Sequence, residues 1–144
     1  MTHENKALIR RWFQEVWNEG REATIDELVA PECVAHGLKQ AEESGLVGPA
    51  AFKEFYHPFH GAFPDIHIEI EEVIAEGDLV VARYVVRGSH TGDTLGQAAT
   101  NRRVQLTGIS IARIRDGQIV EAWNNVDLLT LYQQIDALAG MQKS

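Results

Sequence analysis

The chain has 144 residues, 44% hydrophobic and 24% charged, with a formal net charge of −8. That size suits one domain, residues 1–144, able to bury roughly 70% of its unfolded surface, and the negative charge argues against nucleic acid or an anionic membrane as a partner. Cys33 is the sole cysteine, so no internal disulfide can form and a reducing, cytoplasmic compartment fits; the apolar run from Leu79 to Val86, broken by Arg83, is too short to span a bilayer.

From Lys6 to Glu19 the apolar residues Leu8, Ile9, Trp12, Phe13, Val16 and Trp17 recur in pairs every four positions, which predicts one amphipathic helix with Asn5 as cap and Gly20 as stop. Thr24 and Glu27 have capping-box spacing before a short second helix that ends near Pro31. A third helix opens at Pro49, carries Phe52, Phe55, Tyr56 and Phe59, and stops at Pro64. The period then changes to two: Ile66, Ile68 and Ile70 alternate with His67, Glu69 and Glu71, and a turn at Glu76-Gly77-Asp78 leads into a second strand, Leu79 to Arg87. A Gly- and Thr-rich loop from about Ser89 to Asn101 precedes a third strand, Val104 to Arg115. Asp116-Gly117 signals a hairpin, the return strand runs from Gln118 to about Val126, and a last helix spans Leu128 to Leu138. Helices followed by consecutive antiparallel strands define an α+β fold with the helices on one face of the sheet.

Several segments together carry a resemblance: the run from Gly88 to Arg103, the run Asp116 to Asp127 with Trp123 inside it, Leu128 to Gln134, Phe63-Pro64-Asp65, and His36. The chain resembles the SnoaL-like polyketide cyclases, also called predicted ester cyclases, of the nuclear-transport-factor-like superfamily. The resemblance implies a cone-shaped α+β barrel, commonly dimeric, with an internal apolar pocket and a cofactor-free acid/base site. It also implies that the Asp shortly after the Trp of the last strand moves protons in an intramolecular aldol closure; here those residues are Trp123 and Asp127. The family's Pro-Thr-Gly loop is replaced by Ala99-Thr100-Asn101, a departure that bears on the pocket mouth.

Residues two apart in a strand share a face, so Glu121, Trp123, Asn125 and Asp127 line up together if no bulge intervenes. With that face inward, Asp127 would be the catalytic base, Asn125 a neutral donor to the developing oxyanion, and Trp123 an apolar wall. Asp127 is equally suited to cap the final helix, and Trp123 to serve as core. His36, which matches a histidine the family places at the pocket, and His90 in the Gly-rich loop are the other candidate substrate-binding residues, each with a structural hydrogen bond as the alternative. His57 and His60 have metal-compatible spacing but lack a third ligand, so no metal is expected, and no nucleotide fingerprint calls for an organic cofactor. Arg83 is expected either to face solvent or to pair with a carboxylate such as Glu121, with Tyr84 on the opposite face.

Two classes of function remain open at this level. One is a cofactor-independent acid/base enzyme on a small apolar carbonyl compound, closing a ring by aldol chemistry. Its variant, an epoxide hydrolase or isomerase, needs Asp127, Asn125 and Arg83 to converge. The other is a non-catalytic small-molecule binding module, favoured if Asp127 is consumed as a cap. The aliphatics Val104, Leu106, Ile109 and Ile111 change parity across Gly108, which implies a bulge or apolar surface on both sheet faces and hence a homodimer packed through the sheet.

Overall fold

In the computed structural model, residues 2–38 and 45–135 are described. Helix α1 (Thr2–Trp12) runs directly into a π-helical segment, Phe13–Asn18, and the pair buries Ile9, Trp12, Phe13, Val16 and Trp17. Gly20, at φ +70°, ends the run as its sequence position suggests. Helix α2 (Ala23–Leu28) follows. Its expected cap differs: Glu22 holds the N-cap position without a side-chain bond, while the Thr24 hydroxyl donates to Glu15 at 2.6 Å and Glu27 pairs with Arg11.

Strand β1 (Val29–His36) and the two-residue β2 (Leu46–Val47) were not among the expected elements. Helix α3 (Gly48–Ala62) then leads to β3 (His67–Glu76), β4 (Leu79–Ser89), β5 (Arg103–Arg115) and β6 (Gln118–Val126), and α4 (Leu128–Gln134) closes the described chain. The end of the last predicted helix, beyond Ile135, lies outside the described residues.

The six strands form one curved sheet in the order β2-β1-β6-β5-β4-β3, antiparallel except for the parallel pair β1–β6. It does not close: β2 and β3 are its edges. The helices and one sheet face supply the core, in which Trp17 packs against Phe52, Phe55, Tyr56 and Phe59 at ring distances of 5.0–6.3 Å. Such pairs contribute about 0.5–1.5 kcal/mol each beyond their buried area, which fixes α3 across the π-helical end of the first helix.

Two irregularities decide which side chains face this core. Strand β3 bulges at Glu71 against β4. In β6, Ile119 pairs with Ile114 and Glu121 with Arg113, so Val120 is an extra residue opposite a normal step of β5. A bulge of this kind reverses the parity of everything beyond it. Across Gly108, by contrast, the β5 ladder is continuous. Apolar residues therefore lie on both faces of β5: Val104 and Leu106 are buried, and Ile109 is 44% exposed on the outer face.

Candidate functional site

The space between the helices and the inner sheet face is an apolar cavity. Trp12, Phe13 and Trp17 wall it from the first helical run, Phe52, Phe55 and Phe59 from α3, and alternate residues of the central strands from below. On β4 these are Val80, Ala82, Tyr84 and Val86; on β5, Leu106, Ser110 and Ala112; on β6, Ile119 before the bulge and Ala122, Asn124 and Val126 after it. The inner positions beyond the bulge are small, and this leaves open space where a tryptophan would fill it.

Among the described lining residues, the hydrogen-bonding side chains meet in one row. The Tyr84 hydroxyl lies 2.9 Å from Ser110 Oγ, Ser110 Oγ donates to Asn124 Oδ1 at 2.8 Å, and Asn124 Nδ2 donates to the backbone carbonyl of His36 at 2.9 Å. Two glycines make the row possible. Tyr84 and Gly108 are cross-strand partners, and a Cβ at Gly108 would stand 2.6 Å from the tyrosine ring. At Gly37, where φ is +83°, a Cβ would fall 2.0 Å from the Asn124 carbonyl oxygen, so only glycine lets the end of β1 approach β6 closely enough for the Asn124–His36 bond.

Burial raises the Tyr84 hydroxyl pKa, with the Ser110 contact working in the other direction, so the phenol is protonated at neutral pH. Cys33 also lines the cavity, but burial, aided by Glu32 and Glu121, pushes its thiol up to about 11, which leaves it un-ionised and a poor nucleophile. Among the described lining residues none is a carboxylate, a histidine or a cation. Neutral hydrogen-bonding groups in an apolar, dry setting can orient the polar group of a bound compound.

The bulge at Val120 corrects the expected site. Trp123, Asn125 and Asp127 do share a face, but it is the outer one, because the extra residue turns Ala122, Asn124 and Val126 inward instead. Trp123 stacks on His36 at 5.7 Å with Arg113 over its ring at 6.0 Å, and Asn125 is exposed. Asp127 caps α4, accepting from the Thr130 backbone N–H at 3.1 Å and from its hydroxyl. Those two bonds, the hydroxyl's foremost, hold its carboxyl below the ordinary aspartate value, the opposite of what a general base needs.

His36 directs its ring outward, 2.9 Å from Glu121; only its backbone carbonyl reaches the polar row. His90 does not line the cavity either. It is fully buried beside Phe63, and its Nδ1 holds Thr100 in the Gly-rich loop. Arg83 faces outward and pairs with Glu72 and Glu71 rather than Glu121, so the convergence that epoxide opening requires is not formed. His57 bonds Glu22, and among the described residues no group of three potential ligands could hold a metal. The residues that do meet in the cavity, Tyr84, Ser110 and Asn124, were not selected from the sequence. Continuing the Val104–Leu106 alternation of β5 without a break would have pointed to Ser110, but the position of Asn124 depends on the bulge.

Comparisons with known proteins identify the relatives of this chain. The sequence profile of the SnoaL-like polyketide cyclases matches residues 7–135. The aklanonic acid methyl ester cyclase DnrD of Streptomyces peucetius is 31% identical over 129 residues, 89% of this chain and 88% of that protein. The nogalonic acid methyl ester cyclase of Streptomyces nogalater is 30% identical over 110 residues, 72% of this chain and 76% of its own length. Among solved structures, IdmH from Streptomyces antibioticus superposes with a TM-score of 0.79 at 28% identity, covering 93% of this chain and 99% of that one. The chain belongs to the SnoaL-like polyketide cyclase family. No described helix is long and apolar enough to cross a membrane.

Proposed function

We propose that this chain is a cofactor-independent cyclase that closes a ring in a small apolar carbonyl compound by an intramolecular aldol reaction. The observation that carries this reading is a cavity whose described lining is apolar except along Tyr84, Ser110 and Asn124, in a chain of this family. In such a closure the enol of one carbonyl attacks a second carbonyl carbon through its α-carbon, the enol C=C becomes the new C–C bond as its C–O returns to C=O, and the enol O–H proton passes to the new alkoxide. The product is an isomer of the substrate, and nothing is oxidised or reduced.

A C–H flanked by a ketone and an ester is already acidic, so the demand on the protein is chiefly to fold the chain and exclude water. Pre-oriented intramolecular reactions reach effective molarities on the order of 10⁵–10⁸ M. We assign the positioning to the aromatic walls of the first helical run and α3, the contact with the reacting oxygen to Tyr84, and to Asp127 only the cap of α4. The test is to incubate the protein with aklanonic acid methyl ester and nogalonic acid methyl ester, the compounds that its relatives' names specify. The expected result is a product of unchanged mass with one more ring. Failure to convert either ester or any related keto ester would contradict the reading.

One observation favours a second reading: the described cavity wall carries no carboxylate. A non-catalytic binding module would hold the same compounds tightly and leave them unaltered. In either case we propose a homodimer in the cytoplasm, packed through the outer sheet face where Ile109 and Trp123 lie; the single, buried cysteine supports the reducing compartment.

A further inference from the structure

The hydrogen-bond row in the cavity can point in only one direction. The His36 carbonyl accepts and never donates, so the Asn124 side chain must turn its NH₂ toward it, and Asn124 Oδ1 is left facing Ser110. An amide oxygen also only accepts, so Ser110 spends its one proton there. Tyr84 and Ser110 are 2.9 Å apart, and with the serine proton committed the tyrosine must be the donor. Tyr84 therefore points its proton into the protein and turns lone pairs to the cavity. Gly108 keeps it there, since the ring lies against a backbone that has no Cβ to displace it.

We propose that Tyr84 recognises its ligand as a hydrogen-bond acceptor, so that the cavity selects the phenol or enol form of an apolar carbonyl compound over the plain ketone. This rests on the reading of the cavity as the ligand site and adds the polarity that site demands. An enol O–H meets a lone pair of Tyr84, whereas a ketone oxygen brings a second acceptor to the same place and leaves both unsatisfied. The selection operates through a backbone carbonyl that cannot rotate, so the preference is built into the fold and is independent of pH across the neutral range.

The test uses three single-ring probes of similar size, ethylbenzene, 4-ethylphenol and acetophenone, titrated into wild type, Tyr84→Phe and Asn124→Ala and followed by calorimetry. In Tyr84→Phe the affinity for 4-ethylphenol is expected to fall roughly three- to tenfold, the range of one neutral hydrogen bond, while ethylbenzene and acetophenone stay within about twofold by the same reasoning. Unchanged ethylbenzene binding also establishes that the variant is folded. In Asn124→Ala the Ser110 proton is released, Tyr84 can turn, and acetophenone affinity is expected to rise. A Tyr84→Phe protein that loses acetophenone but not 4-ethylphenol would overturn the inference, as would an Asn124→Ala protein with no gain for acetophenone. If ethylbenzene binds but the phenol gains nothing from Tyr84, this inference alone falls. If no probe binds wild type, the cavity is not the ligand site and both readings fall.

Discussion

Asn124 and His36 stand 88 positions apart in the chain, yet the amide of one donates to the backbone carbonyl of the other at 2.9 Å. That bond joins the end of β1 to β6 and fixes the orientation of the polar row. Its weak point is Gly37, which occupies a left-handed conformation directly against Asn124. Gly37→Ala is expected to cost roughly 2–4 kcal/mol from backbone strain and displacement of the strand end, read by urea denaturation with an unchanged m-value. A variant as stable as wild type would mean that β1 does not hold β6 in this way.

Asp127 offers a second test. Asn caps a helix about as well as Asp, so Asp127→Asn should retain both melting temperature and turnover, while Asp127→Ala should melt a few degrees lower and still turn over. A general base at this position would instead make Asp127→Asn slower by about 10²–10⁴. Because hydrogen bonds from Thr130 lower the Asp127 pKa in the folded state, its contribution to stability is present above the unfolded value and is lost as pH falls through the folded one. Asp127→Asn should therefore flatten the acid limb of the stability curve.

How far the site was legible in the sequence follows from these residues. The β5–β6 hairpin could be read because Asp116-Gly117 is strong turn chemistry, and Asp116 does adopt φ +51°. Strand β1 could not, because it contains Pro31 and its ladder partner β6 lies more than 80 residues away, so no local pattern marks it. Trp123 and Asp127 were placed at the pocket by the resemblance, and the extra residue at Val120, which decides the face of β6, leaves no compositional trace. Simple alternation from Ile119 carries Trp123 and Asp127 inward, and a single bulge carries them out. A large aromatic also looks like the natural lining of a pocket, although the open space depends on Ala122 being small.

His90 predicts a pH effect on stability away from the cavity. Its Nδ1 accepts from Thr100, and burial lowers its pKa from the ordinary 6.5, so the folded protein favours the neutral ring. Protonation would set a new N–H against a backbone donor. The stabilisation is complete above about pH 6.5, where the unfolded chain is also neutral, and declines as pH falls toward the lower folded value. His90→Asn keeps an acceptor for Thr100 and removes the titration. Its stability between pH 7 and 5 should vary less than that of wild type, and parallel profiles would refute the assignment.

The outer sheet face carries Ile109 at 44% exposure beside the cross-strand pair Ile111 and Trp123. A dimer through this face is expected to dissociate in Ile109→Asp, because a charge would be desolvated at its centre. Sedimentation at micromolar concentration should give a dimer mass for wild type and a monomer mass for the variant. A monomeric wild type would contradict the proposed assembly.

The central claim is that the ring closes inside the cavity, and filling the cavity tests it most directly. Ala122 lines the wall two residues from Asn124, and Ala122→Trp would occupy the substrate space without removing any hydrogen bond of the polar row. Turnover of a keto ester should be measured for wild type and Ala122→Trp on samples matched for cooperative unfolding. Wild type is expected to yield a cyclised isomer and the filled protein to yield none. A folded Ala122→Trp protein that closes the ring at the wild-type rate would contradict it.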